Sequence, residues 1–156
     1  MIILDIPGFG ELNIKNLVLD MNGTIAVDGK INREIKKLIE TLSRKLNIYI
    51  VTADTFGKAK EECRDIKAET IFVDRENGAD FKDEFVKKLG ACETAAIGNG
   101  MNDSKMLKAS ALGIAVIMNE GCCTKALLEA DIVVKSIKDA LELFLYPNRI
   151  KATLRK

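Results

Sequence analysis

Short apolar runs alternate along this chain with segments whose apolar residues recur every three or four positions. Leu17-Val18-Leu19 reads as a buried strand ending at Asp20, and Ile48 to Val51, ending at Thr52, repeats the pattern. Further strands are expected over Thr70 to Val73, Thr94 to Ile97, Leu112 to Ile117 and Ile132 to Val134. Between them the period becomes helical. A helix from about Arg33 to Lys45 places Ile35, Leu38, Ile39, Leu42 and Leu46 on one face, with Asn32 as its N-cap. The next carries Phe56, Ala59, Cys63 and Ile66. Others run from about Ala79 to Leu89, stopped by Gly90, from Asn102 to Ser110, and around Thr124 to Ala130. The last opens on Ser136-Ile137-Lys138-Asp139 and turns Ile137, Ala140, Leu141 and Phe144 inward. Two hairpins complete the pattern. One occupies the first fourteen residues around Pro7-Gly8-Phe9-Gly10, and a small one turns at Asp28-Gly29 between Ile25-Ala26-Val27 and Ile31. Strands alternating with helices predict an α/β fold: a three-layer α/β/α, Rossmann-like parallel sheet, with an N-terminal β-hairpin.

Composition narrows the chemistry. The 156 residues favour a single domain over 1–156, large enough to bury a core without a disulfide or metal staple. Lys plus Arg number 24 against 23 Asp plus Glu, so no field favours nucleic acid or a membrane surface. The basic residues Arg149, Lys151, Arg155 and Lys156 read as a solvated tail. No apolar run approaches the ~20 residues that span a bilayer, and Met1 to Ile6 is too short for a signal peptide, so a cytoplasmic location is expected. The four cysteines lack CxxC spacing, and Cys122 and Cys123 read as buried or half-buried thiols. With no histidine in the chain, the commonest general base and every Ser-His-Asp mechanism are excluded.

Ligands of a parallel sheet bind beyond the carboxyl ends of its strands. Three strand ends here carry polar side chains, Asp20, Thr52 and Asn99, which predicts one shared crevice. Lys82, 17 residues before Asn99, could neutralise charge there. Asp103 lies four residues beyond Asn99, past a glycine turn, and can return to the same place. Asp20, Asp103, an oxygen of Asn99 and the backbone carbonyl of Asn22 would suit Mg²⁺, a hard ion that takes oxygen ligands and keeps several waters. A carboxylate nucleophile, Mg²⁺, the Thr52 hydroxyl and Lys82 together make a phosphoryl-transfer site. Each residue alone also reads as a turn former, a cap or a surface group; their order and spacing carry the inference.

These residues resemble the motifs of the haloacid dehalogenase superfamily, and more closely the phosphorylation domain of P-type ATPases. Asp20-Met21-Asn22-Gly23-Thr24 is similar to DKTGT, Thr52-Ala53-Asp54 to TGD, and Gly98-Asn99-Gly100-Met101-Asn102-Asp103 to GDGxND, with Lys82 where the motif lysine stands. The likeness covers about Leu17 to Val134 and is nearest to soluble P-type ATPase-like phosphatases. It implies that Asp20 is phosphorylated, that Thr52 and Lys82 assist, and that Gly23, Thr24, Ala53, Asp54 and Asn102 bind the phosphoryl group. It also implies a phosphorylated small molecule or phosphoprotein as substrate. Only 27 residues separate Thr24 from Thr52, so no cap domain is expected beyond the small hairpin. Capless relatives act on bulky substrates or close the site by forming homo-oligomers. Two positions depart from the pattern. Asn22 replaces the aspartate that protonates the leaving group, which implies slow hydrolysis and a long-lived phospho-enzyme. Asn99 replaces a motif carboxylate, which implies weaker Mg²⁺ binding. Both losses also suit a regulatory or protein-binding module that keeps only the fold. A two-component receiver fits less well, because its phosphorylated aspartate sits on a later strand. A dinucleotide fold lacks its third glycine at Gly98-Asn99-Gly100.

Overall fold

A computed structural model describes residues 1–53 and 57–156, with Arg75 described for its backbone alone. The chain opens with the hairpin β1 (Ile2–Ile6) and β2 (Gly10–Ile14), followed by β3 (Asn16–Asp20). The small hairpin β4 (Ala26–Val27) and β5 (Lys30–Ile31) leads into α1 (Arg33–Leu42), β6 (Asn47–Thr52), α2 (Ala59–Glu62) and β7 (Glu69–Phe72). Then come α3 (Gly78–Leu89), β8 (Thr94–Gly98), α4 (Ser104–Ala109), β9 (Leu112–Val116), α5 (Thr124–Glu129), β10 (Ile132–Val134), α6 (Ile137–Leu145) and α7 (Asn148–Leu154).

Six strands form one sheet in the order β10-β9-β8-β3-β6-β7, every neighbouring pair parallel. The period of two along each strand splits its residues between two faces. Leu17, Leu19, Ile48, Ile50, Ala95 and Ile97 pack with Ile35, Ile39 and Leu42 of α1 and Ala140, Leu141 and Phe144 of α6. Val18, Val51 and Ala96 face the other way, against Val86 of α3, Met106 and Leu107 of α4, and Ala126 of α5. These layers give the expected α/β/α sandwich, and the β1–β2 hairpin extends the first core with Ile2, Leu4, Ile6, Leu12 and Ile14.

Local chemistry explains several boundaries. Asn32 caps α1 by accepting from Glu34 N at 2.9 Å, and Ser136 caps α6 by accepting from Asp139 N at 3.0 Å. Asp28 (φ 52°) and Gly29 form the left-handed turn that a two-residue hairpin requires. The expected helix through Phe56 is described only as the short α2, where Ala59 is buried with Cys63 and Ile66 beyond it; Phe56 lies outside the described residues. The basic end differs from the expected tail. It folds into α7, which buries Ile150 and packs against β1, while Arg149 bridges Glu142 at 3.1 Å and covers the Tyr146 ring at 4.5 Å. Among the described residues no helix is long and apolar enough to cross a membrane.

Gly113 sets how closely α4 approaches the sheet. A Cβ there would lie 2.5 Å from the Leu107 carbonyl oxygen, a backbone atom that cannot rotate away. Gly113→Ala is therefore expected to destabilise the protein by about 1–3 kcal/mol, the usual cost of overpacking. Urea unfolding would measure it, and an unchanged midpoint would show that α4 shifts without penalty.

Candidate active site

The sheet grows outward from β3 in both directions, first through β6 and β7 and then, on the other side, through β8, β9 and β10. This reversal opens a crevice at the carboxyl ends of β3 and β8, where an open α/β sheet binds its ligand. Asp20 is the last residue of β3, Thr52 the last of β6, and Asn99 follows β8 directly. A cleft of ≈ 240 Å³ there is lined by Asp20, Asn22, Thr52, Ala53, Asn99, Gly100, Asn102 and Glu120.

The loop after β3 winds tightly around one atom. The Met21 carbonyl accepts from the amides of Thr24, Ile25 and Ala26 at 3.2, 3.0 and 2.9 Å. This folds Thr24 back so that its hydroxyl lies 2.9 Å from Asp20 Oδ2 and 3.2 Å from Asn99 Oδ1. One hydroxyl proton serves those two acceptors in turn. Gly23 makes the fold-back possible: its φ is +78°, and a Cβ would lie 2.6 Å from Asn99 Nδ2 and 2.7 Å from Glu120 Oε2.

Behind the cleft lies a buried ion cluster. Lys82, 1% exposed on α3, donates to Asp20 Oδ1 and to Asp103 Oδ1, both at 2.6 Å. The other oxygen of Asp103 accepts from the amides of Asn99 at 2.9 Å and Gly100 at 2.8 Å, which fixes the loop after β8. Two carboxylates against one ammonium leave a net negative charge away from water. Burial and the facing Asp103 push the Asp20 carboxyl up from 3.8 to about 6, although Lys82 and Thr24 pull the other way. Burial alone would lower the Lys82 ammonium, but Asp20 and Asp103 outweigh it and hold its pKa above the ordinary lysine range.

The residues expected from sequence therefore occupy two depths. Asp20, Asn22, Thr52, Ala53, Asn99 and Asn102 line the cleft, whereas Lys82, Asp103, Thr24 and Gly23 stand behind it. Asp54 lies outside the described residues. Glu120 and Gly100 also line the cleft and were not among the expected residues. Glu120 lies in the turn after β9, four residues past the strand's last residue, Val116, so its closeness to a strand end is a weaker signal than that of Asp20, Thr52 or Asn99.

The donor set fits a hard cation that retains water. Among the described residues no three acidic, thiol or imidazole side chains converge as a cage. Oxygen donors are nevertheless present among the residues that line the cleft: the Asp20 carboxylate, the amide oxygen of Asn99, and Asn22 Oδ1, a buried acceptor with no partner among the described residues. A divalent ion would offset the cluster's uncompensated negative charge. Chemically, Asp20 combines a nucleophilic carboxylate with an ammonium on one side and an open cleft on the other.

No protein-family model matches the chain. It is 58% identical over 60 residues to an uncharacterized protein of Methanocaldococcus jannaschii, a match covering 38% of this chain and 64% of that protein. A 32% identical stretch of 98 residues, 62% of this chain, matches a probable copper-exporting P-type ATPase of Archaeoglobus fulgidus and covers 12% of it. Among solved structures, 3-deoxy-D-manno-octulosonate 8-phosphate phosphatase from Moraxella catarrhalis, in complex with magnesium and phosphate ions, superposes with a TM-score of 0.66. That match is 19% identical and covers 91% of this chain and 94% of the other. A putative hydrolase of the HAD superfamily from Legionella pneumophila gives a TM-score of 0.68 at 17% identity, covering 90% of this chain and 87% of the other. With its six-stranded parallel sheet and switch-point cleft, the chain shares the fold of these phosphatase and hydrolase structures.

Proposed function

We propose that this chain is a slow Mg²⁺-dependent phosphohydrolase or phosphotransferase that works through an aspartyl-phosphate on Asp20. The observation that carries the reading is the buried Asp20–Lys82–Asp103 cluster, with Asp20 facing the cleft at the sheet's switch point. The magnesium and phosphate ions in the M. catarrhalis phosphatase of the same fold support the choice of cation. Asp20, the Asn99 amide oxygen and the Asn22 carbonyl would hold Mg²⁺, with Asp103 behind them. When bound, Mg²⁺ would neutralise the phosphoryl oxygens and draw them toward Asp20. The substrate class is a phosphorylated small molecule or phosphoprotein.

In the first step an Asp20 carboxylate oxygen bonds to phosphorus as the bond from phosphorus to the leaving oxygen breaks. That oxygen takes its proton from water. Lys82 offsets the charge around the carboxylate, and the Thr52 hydroxyl and Asn102 hold phosphoryl oxygens. In the second step water attacks phosphorus, which releases inorganic phosphate and returns Asp20 to its carboxylate. Asn22 stands where an acid would assist both proton transfers, and an amide does not exchange a proton at neutral pH. General acid–base assistance is worth about 10²–10⁴-fold, and its absence is the physical ground for slow turnover. Asn22→Asp is expected to accelerate phospho-enzyme breakdown by about that range. Single-turnover decay would measure the acceleration, and an unchanged rate would remove Asn22 from this role.

Asn22 and Asn99 together favour one second reading, a regulatory module phosphorylated at Asp20 as a switch. Incubation with acetyl phosphate and Mg²⁺ separates the two. Steady phosphate release supports the enzyme, and a stable adduct without turnover supports the switch.

A further inference from the structure

We propose that Glu120 supplies the cation site at Asp20 with the negative charge that Asn99 lacks. The proposal rests on the reading of that site given above and adds a residue to it. Three observations lead to it.

The first is how the loop after β9 is fastened. Gly121 N donates to Met118 O at 2.8 Å, and Gly121 adopts φ +77°, closing a turn with Asn119 and Glu120 at its tip. This loop grips Asn99 from two sides. Asn99 Nδ2 donates to Gly121 O at 3.0 Å, and Asn99 O accepts from Cys123 N at 2.8 Å. The first of these bonds needs an N–H on the side chain of residue 99. An aspartate there would set a carboxylate oxygen against the Gly121 carbonyl, acceptor against acceptor.

The second is where the turn delivers its acid. Glu120 Oε2 and Asn99 Nδ2 lie 2.7 and 2.6 Å from the same point, the position a Cβ would take on Gly23. The Glu120 carboxylate thus lies over the loop that follows Asp20, on the wall of the same cleft. An aspartate at 99 would repel it. The amide at 99 and the acid at 120 are therefore one arrangement: the loop docks only on an amide, and docking brings in a carboxylate.

The third is that Glu120 has no other electrostatic task. Among the described residues it makes no ion pair or hydrogen bond, and it is exposed. Asn22 lines the same cleft, and its buried Oδ1, without a partner among the described residues, is an acceptor suited to a cation or its water. A neutral amide at 99 weakens a hard-ion site, and a carboxylate from the neighbouring loop restores the charge directly or through a water.

Calorimetric titration of Mg²⁺ into the metal-free full chain tests this without reference to activity. Glu120→Gln is expected to weaken Mg²⁺ binding by about 10–100-fold. Its melting temperature without metal should stay unchanged, because the side chain is exposed at a turn tip. Asn99→Asp added to Glu120→Gln should restore most of the lost affinity, since it returns a carboxylate at position 99 itself, and with residue 120 neutral the cation no longer depends on the bond to Gly121 O. Equal affinity of Glu120→Gln and the unaltered protein, with binding still lost in Asp20→Asn, would overturn the role of Glu120 and leave the Asp20 site standing. Undiminished binding in Asp20→Asn, or no Mg²⁺ binding by the unaltered protein, would overturn the site reading and the Glu120 proposal with it.

Discussion

Replacing Asp20 by asparagine is expected to lower Mg²⁺-dependent phosphate release from a small aryl or acyl phosphate by at least about 10⁴-fold, the scale on which removing a covalent nucleophile acts. The amide keeps the size and most of the hydrogen-bonding shape of the side chain but cannot form the acyl phosphate. Misfolding would not account for the loss. Burial and Asp103 raise the Asp20 carboxyl to about 6, so at pH 8 its ionisation opposes folding. The asparagine variant should therefore melt no lower than the unaltered protein at that pH. A variant that melts normally and keeps its activity would remove Asp20 from the chemistry.

Lys82→Met should be the most destabilising substitution at the site. Lys82 is 1% exposed and holds two carboxylates at 2.6 Å, so its loss leaves both facing each other in a buried setting. Breaking a buried ion cluster in this way costs about 3–5 kcal/mol. The sign of its pH dependence follows from linkage. Without Lys82, the Asp20 pKa rises further above its unfolded value, so the folded state binds the extra proton. Stability is then kept at low pH and lost as pH rises through the folded pKa. Urea unfolding in the absence of metal should show a larger deficit at pH 8 than at pH 5, and adding Asp20→Asn should recover part of it. An equal deficit at both pH values would mean that lost packing, and not stranded charge, sets the cost.

Much of this arrangement is legible in the sequence because the relevant physics is local. Asp20, Thr52 and Asn99 each close an apolar run, and in a parallel sheet every such end faces the same side. Asn32, Ser136 and Asp28-Gly29 mark their cap and turn positions by side-chain and backbone chemistry that needs no distant partner. What the sequence hides is tertiary. Asp103 reads as a residue exposed to ligand, yet it is fully buried, because Gly98 leaves room for it: a Cβ there would lie 2.6 Å from the Asp103 side chain. Glu120 reads as a surface acid, and the bonds from Asn99 to Gly121 and Cys123 carry its loop to the cleft. The basic residues near the end conceal α7, since a seven-residue helix with one buried side chain, Ile150, owes its order to docking on β1 and not to its own periodicity.

The chemistry assigned to Asp20 is most directly tested by trapping its product. The protein would be mixed with acetyl phosphate and Mg²⁺, quenched in acid and analysed by peptide mass. The account predicts one phosphoryl group on the peptide containing Asp20, removed by hydroxylamine and missing from Asp20→Asn. Phosphate release with no adduct on that peptide at any time, or an adduct on another side chain, would contradict it.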